Sequence, residues 1–245
     1  MVNADFAEWA TSYSGCDGGA LAGKVWLCGI EYGANNPQPN DPAYSAVNVP
    51  CFVGCPHYDR KDFLRYQYNW KAIKLLAAYY GTDVTDYKSF FQSQNCFGKN
   101  SDSFKLNLYP LGFKNTSAQH WPPWLFDRIG FQNKKEYLDW CSVYRFSAIR
   151  TWASKHTPEV VICTGKQYLT EFQKAFGGSG AEVRTTEAAG KLINYFVTNN
   201  GKTLVVVVNF LGGRYGLSSD RQITETGRKV AELSKERLSF LQQSN

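Results

Sequence analysis

The run Leu204-Val-Val-Val-Val208 leaves the chain little choice of architecture. Consecutive β-branched residues have stiff side chains that favour extended backbone. Successive side chains of a strand point to opposite faces, so both faces here are apolar and both need cover. This strand is expected over Thr203–Asn209, and Lys24–Gly29, Phe104–Leu108 and Glu159–Thr164 read the same way. Helical patterns lie between them. Asp59 stands as N-cap of a segment reaching about Tyr80 and ended by Gly81. Lys134–Lys155 carries Tyr137, Trp140, Cys141, Tyr144 and Ile149 at helical spacing. Gly165–Phe176 is closed by two glycines, and Asp220–Leu241 is rich in Lys, Arg and Glu. Strands alternating with helices predict an α/β fold, a three-layer α/β/α sandwich around a central four-stranded, mostly parallel sheet. The 245 residues suit a single domain over 1–245, with no repeat or linker to divide them.

Ligand sites of open α/β sheets lie outside the carboxyl ends of the strands. The first strand runs straight into one such end, Val25-Trp-Leu-Cys-Gly-Ile-Glu-Tyr-Gly33, where two glycines bracket Glu31. That carboxylate is either a solvated turn residue or a group delivered for chemistry. Two long connections, Ala34–Tyr58 and Tyr109–Asn133, flank the same region, and long loops in compact domains usually carry function.

The order of these segments resembles the uracil-DNA glycosylase superfamily, a three-layer α/β/α fold around a four-stranded parallel sheet. The family's first strand ends in a Gly-x-Asp-Pro or Gly-x-Asn-Pro run that supports the attacking water. Gly29-Ile-Glu-Tyr-Gly33 matches it, with Glu31 at the water-positioning place and Tyr32 instead of proline. The second strand's base-reading Asn matches Asn107 in Phe104-Lys-Leu-Asn-Leu-Tyr109. The third strand ends in Gly165, and Lys166 follows where the family contacts a phosphate. The fourth ends in Asn209-Phe-Leu-Gly-Gly-Arg-Tyr-Gly216, longer than the family's wedge loop and without its Pro and Ser. Phe52 lies where the family stacks a ring on the extruded base, and Tyr32 closes one pocket wall.

The resemblance implies a monofunctional DNA glycosylase. It flips a pyrimidine, uracil-like or a modified cytosine such as phage genomes carry, and hydrolyses the N-glycosidic bond. Glu31 and Asn209 are then the catalytic residues, the first orienting water and the second donating to the departing base. Tyr32, Phe52 and Asn107 bind the base. Lys166, Gly213, Arg214, Tyr215 and Arg221 meet DNA, with Lys114 near the same edge. Each has a plainer reading: Asn107 as a strand-end cap, Phe52 as core, the glycine-rich loop as a surface turn. Two rivals remain, a non-catalytic DNA-binding module on the same fold and a small-molecule hydrolase or transferase using the same crevice.

The formal charge of +6 permits a polyanionic partner without demanding one. Seven cysteines, several inside apolar runs, favour reduced thiols and a cytoplasmic setting. No basic-then-apolar leader opens the chain, and no run nears the roughly 20 apolar residues of a membrane span. Cys51, Cys55 and His57 lack a fourth metal ligand, and their spacing is not that of the superfamily's iron–sulfur branch, so no metal or cofactor is expected. A monomer acting in DNA repair or phage defence is the expectation.

Overall fold

The computed structural model describes residues 1–13, 16–31, 33, 60–113, 117, 121–178, 180–213 and 215–243. The chain opens with α1 (Ala4–Thr11), β1 (Cys16–Gly19) and β2 (Val25–Gly29). Then come α2 (Arg60–Phe63), α3 (Gln67–Tyr79), α4 (Tyr87–Ser93) and β3 (Ser103–Asn107). Next are α5 (Leu125–Ile129), α6 (Lys134–His156), β4 (Val160–Thr164) and α7 (Leu169–Phe172). The remainder is β5 (Arg184–Ala188), β6 (Lys191–Thr198), β7 (Thr203–Val208) and α8 (Asp220–Gln243).

One sheet holds the described strands in the order β1-β3-β2-β4-β7-β6-β5. Its centre, β3-β2-β4-β7, is parallel and consists of the four strands legible in the sequence. The sheet has seven strands, not four. An antiparallel β1 flanks β3, and an antiparallel β6–β5 hairpin flanks β7. None of these three carries an unbroken apolar run. β1 reads Cys-Asp-Gly-Gly, β5 reads Arg-Thr-Thr-Glu-Ala, and β6 mixes buried and exposed positions.

Alternation along the parallel strands divides the core in two. Trp26, Cys28, Phe104, Leu106, Val161, Cys163, Val205 and Val207 face one layer, where α1, α5, α6 and α7 pack. Val25, Leu27, Val160, Ile162, Leu204, Val206 and Val208 face the other, covered by α2, α3, α4 and α8. At roughly 25 cal/mol per Å² of apolar surface, covering both faces of four strands is the main term holding the sheet.

Other expectations need adjustment. The segment beginning near Asp59 is two helices broken at Leu64–Tyr66, and within Phe63–Trp70 Phe63 and Asn69 are buried while Tyr66 is exposed. Gly165–Phe176 is a 3₁₀ turn, a single α turn and a π turn rather than one helix. On α6, Tyr144 faces outward, 55% exposed and stacked on Trp140. Cys28, Cys141 and Cys163 are buried free thiols. No helix among the described residues is long and apolar enough to cross a membrane.

Candidate active site

The chain leaves β2 for α2 and α3 on one face and leaves β4 for α7 on the other. Neighbouring strands whose connections part in this way open a crevice at their carboxyl ends. Glu31 follows β2 at that end of the sheet. Leu108 N–H donates to Gly29 C=O at 3.0 Å and Tyr109 N–H to Ile30 C=O at 2.9 Å, so β2 and β3 stay joined up to that point. The Glu31 side chain is only 6% exposed, and both carboxylate oxygens lie 3.4 Å from Lys134 Nζ. Lys134 is 1% exposed and sits 4.0 Å above the Phe113 ring.

Burial pushes the Glu31 carboxyl up to about 7, and the Lys134 charge and hydrogen bond pull against that rise. The same burial lowers Lys134, with Glu31 opposing. Lys134→Met therefore moves the Glu31 midpoint further up, which carboxyl ¹³C NMR reads directly; an unchanged or lower midpoint contradicts this coupling.

Asn107 ends β3 in register with Gly29 and is 3% exposed. A Cβ on Gly29 would lie 2.4 Å from Asn107 Oδ1 and 3.3 Å from the Tyr68 hydroxyl, so the carboxamide lies across the bare glycine. Thr164 Oγ1 donates to the Cys28 carbonyl at 3.4 Å, which leaves Tyr68 as donor in its 2.7 Å bond to Thr164. Burial raises the Tyr68 phenol above its ordinary value. Its ring packs 5.6 Å from Phe210, which is 37% exposed. Deeper on this face, Lys105 forms a buried ion pair with Asp17, its ammonium 5.3 Å from the Tyr68 ring. Burial pushes Lys105 down to about 7.

Glu31 and Asn107 thus share one edge of the sheet, on adjacent strands, but lean into different layers. The carboxylate turns toward α6 and the carboxamide toward α3, with Gly29 as the ridge between. Gly29→Ala overfills that ridge and displaces the carboxamide, at a cost of about 1–3 kcal/mol. Gly33→Ala is the control, because no atom of the described residues lies within 4 Å of its Cβ position. Thermal unfolding that lowers both variants equally would remove the ridge.

The other expected residues are spread along the same rim. Lys166 is exposed just past β4, after Gly165, where a Cβ would meet Ile30 Cδ1 at 2.7 Å. Asn209 follows β7; its Nδ2 donates to the Tyr215 carbonyl at 3.2 Å, while its Oδ1 is buried with no partner among the described residues. Gly213 is exposed with φ +74°, and Tyr215 is 79% exposed. Lys71 Nζ anchors this loop by donating to the Leu217 carbonyl at 2.8 Å. Arg221, in the first turn of α8, is paired with Glu225 at 2.7 Å. Tyr32, Phe52, Arg214 and Lys114 lie outside the described residues, as do Cys51, Cys55 and His57. Among the described residues no cluster of three or more His, Cys, Asp or Glu could hold a metal.

Sequence reasoning missed Lys134, Tyr68, Lys105 and Asp17. Two signals were present: a lysine inside the buried run Ser-Phe-Lys-Leu-Asn, and a lysine rather than an acid directly after the N-cap Asn133. No family model matches the chain, and no curated protein aligns with it.

Proposed function

We propose that the protein is a DNA glycosylase on a three-layer fold like that of the uracil-DNA glycosylase superfamily. It takes a flipped pyrimidine, uracil-like or a modified cytosine, and leaves an abasic site. The observation that supports this most is a buried carboxylate, Glu31, and a buried carboxamide, Asn107, at the carboxyl ends of adjacent strands on either side of Gly29. N-glycosidic cleavage needs a positioned water and a negative charge near the oxocarbenium-like sugar, and Glu31 supplies both. Asn107 offers one donor and one acceptor to a pyrimidine edge. Tyr68 and Phe210 give that side aromatic walls. Lys166 contacts phosphate, and Tyr215 occupies the gap left by the flipped nucleotide.

The Lys134 ion pair favours the second reading, a binding module in which Glu31 is spent on structure. One assay separates the two. Duplex and single-stranded oligonucleotides containing uracil, cytosine, 5-hydroxymethylcytosine or its glucosylated form are incubated with the protein and treated with alkali. Strand scission at one of these bases is the expected result. Salt-sensitive binding with no scission on any of them refutes the glycosylase and leaves the module.

A further inference from the structure

We propose that the amino-terminal end of the sheet carries a second site, in which Arg237 holds a small oxyanion, a phosphate or a carboxylate. Glu31 lies at the opposite end of the strands, so this site stands or falls independently of the glycosylase reading. On α8, Val230, Leu233, Ser234 and Arg237 are buried at the three- and four-residue spacing of a core-facing stripe. A guanidinium, only 6% exposed, thus stands where that stripe calls for an apolar residue.

Part of its task is visible. Asn199, Asn200 and Gly201 turn the chain from β6 into β7 with φ of +54°, +52° and +87°. The turn presents two carbonyls to the helix, and Arg237 Nη1 donates to both, to Gly201 C=O at 3.1 Å and to Lys202 C=O. One nitrogen is enough for this. Nε and Nη2 are buried with no partner among the described residues. They share one edge of the guanidinium, the planar fork that meets two oxygens of a carboxylate or phosphate side by side.

Buried polar groups are nearly always hydrogen-bonded, and a buried charge is costly unless it is also paired. Other cationic side chains escape by losing a proton, but arginine keeps its own. Water would bond the two N–H groups and leave the charge uncompensated. Among the described residues the carboxylate that acts on Arg237 is Glu159, just ahead of β4. It is 40% exposed and pairs with Lys24 at 3.8 Å, not with the guanidinium. Tyr79 acts on Arg237 as well, and its hydroxyl bonds to Ser234. Tyr79 and Glu159 are both half-buried, so the fork sits one side chain below the surface. Such a place admits an anion of a few atoms and excludes a polymer.

The test titrates the full chain with inorganic phosphate and, separately, with acetate, at an ionic strength held constant with sodium chloride. Calorimetry should show saturable binding, and whichever anion binds more tightly tells a tetrahedral ligand from a planar carboxylate. About a hundredfold excess over the dissociation constant should raise the melting temperature by about 5–10 °C. Arg237→Lys keeps the charge and a donor for the turn carbonyls but has no fork, so it should bind about tenfold more weakly. Should that variant fail to fold, ¹H–¹⁵N spectra of wild type labelled at arginine still decide. The Arg237 Nε–H should shift on titration, while that of Arg145, already bonded to Leu108 C=O, should not. No saturable binding of either anion, or binding undiminished in Arg237→Lys, overturns the inference.

Discussion

Glu31→Gln is expected to keep the fold and lose about 10²–10³-fold in the rate of base excision, the usual scale for a lost general base or charge-stabilising group. Glutamine matches the shape of glutamate and still accepts a hydrogen bond from Lys134, but it neither orients water as a base nor carries negative charge. Stability distinguishes this from simple damage. The folded carboxyl titrates near 7, above its ordinary 4.5. Glu31 therefore adds to stability below pH 4.5, and that contribution is lost as pH rises through 7. Wild-type melting temperature should fall across this window more than that of Glu31→Gln. Activity should rise over the same window, because only the ionised carboxylate works. A variant that excises bases as fast as wild type leaves Glu31 with no catalytic part.

Arg145→Ala is expected to cost about 4–5 kcal/mol of stability, at the top of the range for one substitution. Arg145 is wholly buried on α6 and has four backbone acceptors. Its Nη1 donates to Ala10 C=O at 2.7 Å and Ser12 C=O at 2.9 Å, Nε to Leu108 C=O at 3.3 Å and Nη2 to Asn107 C=O at 3.2 Å. The guanidinium lies 5.3 Å from the Trp152 ring. Truncation leaves a cavity and strands carbonyls that water does not reach. Lysine, with one nitrogen instead of three, should recover only part of the loss. Urea unfolding measures both variants, and a shift below about 1 kcal/mol for alanine would place Arg145 among ordinary surface residues. Asn107 takes part in this network through its own carbonyl, so the variant should also loosen the candidate base-reading position.

The parallel centre of the sheet was legible because two-sided burial writes an unbroken apolar run. The flanking strands were not, because each is stabilised by its neighbour rather than by its own pattern. β1 is held by pairing with β3 and by Asp17 meeting Lys105. Glu31 and Asn107 were legible as residue types at strand ends. Their partners were not, since Lys134 lies 103 positions from Glu31 along the chain and only folding brings them together.

Val25 pairs directly with Val160, so the middle of the sheet joins segments from opposite halves of the polypeptide. During synthesis the strand bearing Glu31 emerges long before β4 exists to cover its second edge. Until then its apolar residues are open to wrong associations, and non-local parallel pairing of this kind is slow. The consequence is a sheet edge that matures late, so the candidate site of a nascent chain cannot form before most of it has left the ribosome.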